Sequence, residues 1–76
     1  MSIIFVSLDQ KIHYSIICKN TDQFIKIESK LYKEYPQYMN RENFFIAKGN
    51  KINRFISLEK NGIKDSDIIT LKKYDN

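Results

Sequence analysis

Residues 3–8, Ile-Ile-Phe-Val-Ser-Leu, form an almost continuous β-prone run. Residues 12–18 form a second, in which Tyr14, Ile16 and Cys18 alternate with His13, Ser15 and Ile17. Only Asp9-Gln10-Lys11 separates the two runs, so a β-hairpin is expected. Asn20-Thr21-Asp22-Gln23 then offers side-chain caps for the free N–H groups of a helix start. Phe24, Ile27, Leu31 and Tyr35 recur at spacings of three and four, the mark of one apolar face of a helix over about 22–35. Pro36 cannot continue that helix, and it disfavours helical geometry at Tyr35.

The pattern then returns to strands. Residues 37–42 read as a polar connection, and residues 43–47 as a third strand with Phe44 and Ile46 facing one way and Phe45 the other. Lys48-Gly49-Asn50 reads as a turn, because Gly and Asn tolerate positive φ. A short fourth strand is expected at 51–53, a helical turn at 57–60 ended by Asn61-Gly62, and a last strand at 68–72. The order is ββαββ, a short helix, then β: one α+β domain over 1–76, without repeats, linkers or low-complexity segments.

Two stretches carry a family resemblance. Phe44-Phe45-Ile46-Ala47-Lys48-Gly49-Asn50-Lys51-Ile52 resembles the third strand, Gly-containing turn and short fourth strand of the ubiquitin-like (β-grasp) family. Residues 57–71, from Ser57-Leu58 through Asn61-Gly62-Ile63 to Ile69-Thr70-Leu71, resemble that family's Ser/Thr-Leu turn, Asn/Ile step and closing strand. The resemblance implies a mixed sheet with one helix across one face and the first and last strands adjacent, parallel and central. On that arrangement the expected core is Ile4, Val6, Tyr14, Ile16, Cys18, Phe24, Ile27, Leu31, Phe44, Ile46, Ile52, Leu58, Ile63, Ile69 and Leu71. Conjugated modifiers of the family end in Gly-Gly, whereas this chain ends Lys72-Lys73-Tyr74-Asp75-Asn76, so conjugation through the C-terminus is not expected. The sulfur-carrier branch needs the same Gly-Gly end and the ferredoxin branch several cysteines, and neither is present.

Composition narrows the function classes. The 76 residues, 42% hydrophobic, have room for one core and none for a second domain or a deep cleft. A single cysteine excludes an internal disulfide and suits a reducing, intracellular compartment. The apolar runs are too short to span a membrane, the N-terminus lacks the features of a secretory signal, and Met1 is read as a natural start. The net charge of +4 is spread along the chain. The abundance of Ile, Lys and Asn is what an AT-rich genome produces, which discounts the lysines as a sign of nucleic-acid binding.

Candidate chemistry is sparse. His13 alternates onto the face opposite Tyr14 and Cys18, with no thiol beside it to activate, and Cys18 reads as a small buried apolar residue. Asp65 and Asp67 fall well short of the six or more oxygens of a calcium site. No catalytic residue, metal ligand or cofactor is therefore expected. Lys26, Lys30 and Lys33 line one helix face as a secondary basic stripe, with Glu34 in reach of Lys30. Ile3, Phe5, Ile17 and Phe45 are expected on the outer sheet face, flanked by Thr70 and Lys72, as an apolar patch that suits a protein partner. The expected function is a non-catalytic protein–protein interaction module acting through that face or the edge of the second strand. A small subunit permanently bound in a large assembly is the alternative. Nucleic-acid and microtubule binding rank lower, because no stacking pair flanked by basic residues and no microtubule-binding motif appears in the sequence.

Overall fold

The computed structural model describes residues 1–74; Asp75 and Asn76, on which part of the expectation about conjugation rests, lie outside the described residues. Five strands and one helix follow one another as β1 (Ser2–Ser7), β2 (His13–Ile17), α1 (Phe24–Glu34), a 3-10 turn (Pro36–Tyr38), β3 (Asn43–Ala47), β4 (Asn50–Lys51) and β5 (Ile68–Lys73). They form a mixed five-stranded sheet in the order β2-β1-β5-β3-β4, with β1 and β5 parallel and the other pairs antiparallel. The helix packs on one face: the Phe24 ring lies 6.0 Å from that of Phe5 and 4.9 Å from that of Phe45.

The facing of β1 and β3 is the reverse of that expected. Ile3 and Phe5 are fully buried and Phe45 is 2% exposed, all on the helix side. Ile4, Val6, Phe44 and Ile46, expected in the core, lie on the other face and are partly exposed. The reason is register. Directly opposed residues share a face, and the hairpin pairs Ile3 with Ile16 and Phe5 with Tyr14, so odd positions of β1 join even positions of β2. In the same way β3 presents Phe45 beside Leu71 of β5. The remaining assignments hold: Ile16, Cys18, Phe24, Ile27, Leu31, Leu58, Ile63, Ile69 and Leu71 are buried, and Tyr14 and Ile52 pack at the margin.

Connections contribute more to the core than their polarity suggests. Ile12, at the foot of β2, and Tyr38, in the 3-10 turn, are both buried. The helix start uses no side-chain cap. Its free N–H groups go instead to the loop that follows β4: Phe24 donates to the Ile56 carbonyl at 3.1 Å and Ile25 to that of Arg54 at 2.8 Å. Asp22 accepts from the Lys19 N–H rather than from the helix. The loop itself is tied by Asn61, whose amide bridges the Asn53 and Ser57 carbonyls and the Asn53 N–H. No helix is assigned at 57–60, where hydrogen-bonded turns stand instead. The β3–β4 hairpin turns on Lys48 and Gly49, with φ of 53° and 79°, the two left-handed residues of a tight primed turn.

Candidate functional site

Strand pairing defines the helix-free face row by row. Val6 sits in a row running His13, Val6, Thr70, Ile46, Lys51 across all five strands. Ile4 lies between Ser15 and Ile68 in the next row, Ile17 opposes Ser2 beyond it, and Phe44 opposes Lys72 at the other end. Six large apolar side chains thus share a face that no element of the described chain covers. Ile17 is 83% exposed and Ile68 57%, and Ile4, Val6, Phe44 and Ile46 are partly exposed. A sheet with one solvated face ordinarily carries polar residues there.

Of the six residues expected to form a binding patch, three therefore lie on this face and three do not. Ile17, Thr70 and Lys72 are on it, whereas Ile3, Phe5 and Phe45 belong to the core. The residues missed are Ile4, Val6, Phe44, Ile46 and Ile68. Their signal was present: Ile4, Val6, Phe44 and Ile46 are the apolar alternates of Ile3, Phe5 and Phe45, and Ile68 shares the parity of Thr70 and Lys72.

The sheet also presents an open edge. Cys18 and Met1 exchange backbone hydrogen bonds, and Ser7 donates to the Ile12 carbonyl, so even positions of β2 address β1. The backbone groups of His13, Ser15 and Ile17 then point away from the sheet, at the edge beside the exposed Ile17 side chain. Among the described residues no proline interrupts that edge, and its register with β1 is unbroken.

Electrostatics around the face are basic. Lys51 opposes Ile46, and its ammonium lies over the rings of Phe44 at 5.4 Å and Tyr74 at 4.8 Å while donating to the Tyr74 hydroxyl. Lys48 pairs with Asp67 at 3.2 Å. The Lys64 N–H and Lys48 hold the Asp67 carboxyl below its ordinary value. The helix stripe is solvated: Lys26, Lys30 and Lys33 are exposed, and the helix pair that forms is Asp22–Lys26 at 3.8 Å rather than Lys30–Glu34.

One buried polar cluster was not foreseen. Glu28, on the apolar stripe of α1, accepts a 2.6 Å hydrogen bond from Tyr32, and its Oε1 lies 3.1 Å from Arg54 Nε in an ion pair without a linear hydrogen bond. Arg54 also donates to the Asn43 carbonyl, and the Asn43 amide donates to Tyr32 and to the Tyr38 carbonyl. Burial, and next the Glu28 bond, push the Tyr32 phenol up to about 12. The cluster joins α1 to β3 and to the loop after β4, which is a structural task.

His13 is exposed on the open face, and Cys18 is buried, with burial pushing its thiol above its ordinary value. Among the described residues no three His, Cys, Asp or Glu side chains gather to hold a metal, and no helix is long and apolar enough to cross a membrane. The sequence matches no family model and no curated protein.

Proposed function

We propose that the chain is a ubiquitin-like, β-grasp domain that acts as a non-catalytic protein-interaction module and binds its partner through the open face of the sheet. The observation that carries this reading is the tract Ile4, Val6, Ile17, Phe44, Ile46 and Ile68, apolar and uncovered across four of the five strands. The strand order, with parallel β1 and β5 at the centre and one helix on one face, supports the family resemblance. The open β2 edge extends the surface, and Lys51 and Lys72 at its border favour a partner with acidic residues at the rim. The test is capture from native lysate with residue-mapped cross-linking, comparing the natural sequence with Ile17→Asp/Ile68→Asp. The variant is expected to fold and to lose the partner; an unchanged set of cross-linked partners would refute the assignment of this face.

A further inference from the structure

A cleft of about 560 Å³ opens at the lower end of the sheet, between the β1–β2 turn, the 3-10 turn and the end of β5. Its walls carry three cations, Arg41, Lys72 and Lys73, against one carboxylate, Asp9. Among the described residues none of these cations is in an ion pair; the pairs that form use Lys26, Lys48 and Arg54. Asp9 is engaged by its own turn, accepting from the Ser7 hydroxyl and the Lys11 N–H, and these bonds, followed by the charges of Lys11 and Arg41, hold its carboxyl below the ordinary value. Arg41 is pre-organised: its guanidinium stacks on the ring of buried Tyr38 at 4.7 Å, and its buried Nε meets no acceptor among the described residues. The cleft also has an apolar side, with Leu8 72% exposed and Phe44 half-buried.

We propose that this cleft receives an acidic, extended segment of a partner protein, with carboxylates on Arg41, Lys72 and Lys73 and an apolar side chain against the exposed Leu8. The cleft is continuous with the open face through the Phe44–Lys72 pair, so a chain that covers the face reaches it. The inference thus rests on the interaction reading above and names the chemistry of its partner. A planar, bidentate donor in a cleft that two lysines also line suits carboxylates. A single-stranded nucleic acid would need free aromatic faces for its bases. Here the Phe44 and Tyr74 rings lie 4.6 Å apart against each other, and the Lys51 ammonium stands over both.

The test is fluorescence anisotropy at about 50 mM salt, where exposed charges still act over roughly 10 Å or more. The probes are a labelled twelve-residue peptide of alternating Glu and Leu, its Gln/Leu counterpart and a labelled ten-nucleotide uridine oligomer. The Glu peptide is expected to bind at least tenfold more tightly than either of the others. Arg41→Ala and Lys72→Ala/Lys73→Ala should each weaken it about tenfold, whereas Lys26→Ala/Lys30→Ala/Lys33→Ala, which removes more positive charge than either, should not. Thermal unfolding of each variant, with Arg41→Lys as a milder change that keeps the charge but loses the fork, separates lost binding from lost folding. Equal affinity for the Gln peptide, tighter binding of the oligonucleotide, or an equal loss in the helix-lysine variant would overturn the proposal. If the Glu peptide fails while Ile17→Asp/Ile68→Asp still abolishes native capture, the cleft assignment alone falls. If the peptide binds but that variant still captures the partner, the open-face reading falls.

Discussion

The two faces of the sheet are built from nearly the same residue types and do different things. One carries Ile3, Phe5, Phe45, Ile69 and Leu71 against the helix; the other carries Ile4, Val6, Phe44, Ile46 and Ile68 with no helix or further layer of the described chain on it, only Tyr74 and Lys51 lying against Phe44. Hydrophobicity alone therefore does not distinguish the buried face from the open one in this domain. Register does: the parity of the β1–β2 hairpin sends Phe5 inward and Ile4 outward. The proposed function takes the apolar residues on the helix-free face as the surface that meets another molecule.

The largest expected effect breaks the inner face. Phe5→Ala and Phe45→Ala should each cost about 3–5 kcal/mol, because each ring removed leaves a cavity beside Phe24. In a domain of this size the double change should leave no cooperative melt. Leu31→Ala, fully buried on α1, should cost about 2–5 kcal/mol. Ile17→Ala and Ile68→Ala should change stability by about 0.5 kcal/mol or less each. Thermal and urea unfolding of the two sets checks the contrast, and equal losses on both faces would dissolve it.

A second prediction concerns the polar cluster beneath the helix. Glu28→Ala strands the Tyr32 hydroxyl and removes the Arg54 counter-charge, which should cost about 2–3 kcal/mol in urea unfolding. Glu28→Gln keeps an acceptor for Tyr32 and should cost less. A third isolates the hairpin turn. A Cβ on Gly49 would meet nothing within 4 Å, so Gly49→Ala tests the left-handed backbone alone, at about 1–2 kcal/mol. The smallest effect is electrostatic. Asp9, Asp22 and Asp67 all have carboxyls held below the ordinary 3.8 by backbone or side-chain hydrogen bonds. The unfolded chain binds these protons first, so their stabilisation is complete above the unfolded value and is lost as pH falls through the folded ones. Unfolding midpoints should decline below about pH 4, and Asp22→Asn/Asp67→Asn should flatten that decline.

The sequence was readable where one alternate set of a segment is polar. His13 and Ser15 place Ile16 and Cys18 inward, Thr70 and Lys72 place Ile69 and Leu71 inward, and the three-and-four spacing of Phe24, Ile27 and Leu31 marks the helix face. It was ambiguous at β1 and β3, where both alternates are apolar and only the hairpin register, a long-range property, decides. Tyr38 was missed because it sits in a connection, where period carries no information, whereas Ile12 shares the parity of Tyr14, Ile16 and Cys18 in the expected second strand, a trace that does mark it as buried. Glu28 left a usable trace: a carboxylate four residues after Phe24 and three before Leu31 stands on the buried stripe, and a buried charge requires partners. Those partners, Tyr32, Arg54 and Asn43, are joined only by the fold. The cleft at Arg41 likewise draws on three separate segments.

The most direct test of the contrast between the faces is side-chain carbene footprinting of the free protein and of its complex with the captured partner. Ile17, Ile68 and Phe44 should label in the free protein and be protected in the complex, while Ile3, Phe5 and Phe45 stay unlabelled in both. Labelling of Phe5 or Phe45 in the free protein, or protection confined to the helix around Lys26, Lys30 and Lys33, would contradict the account.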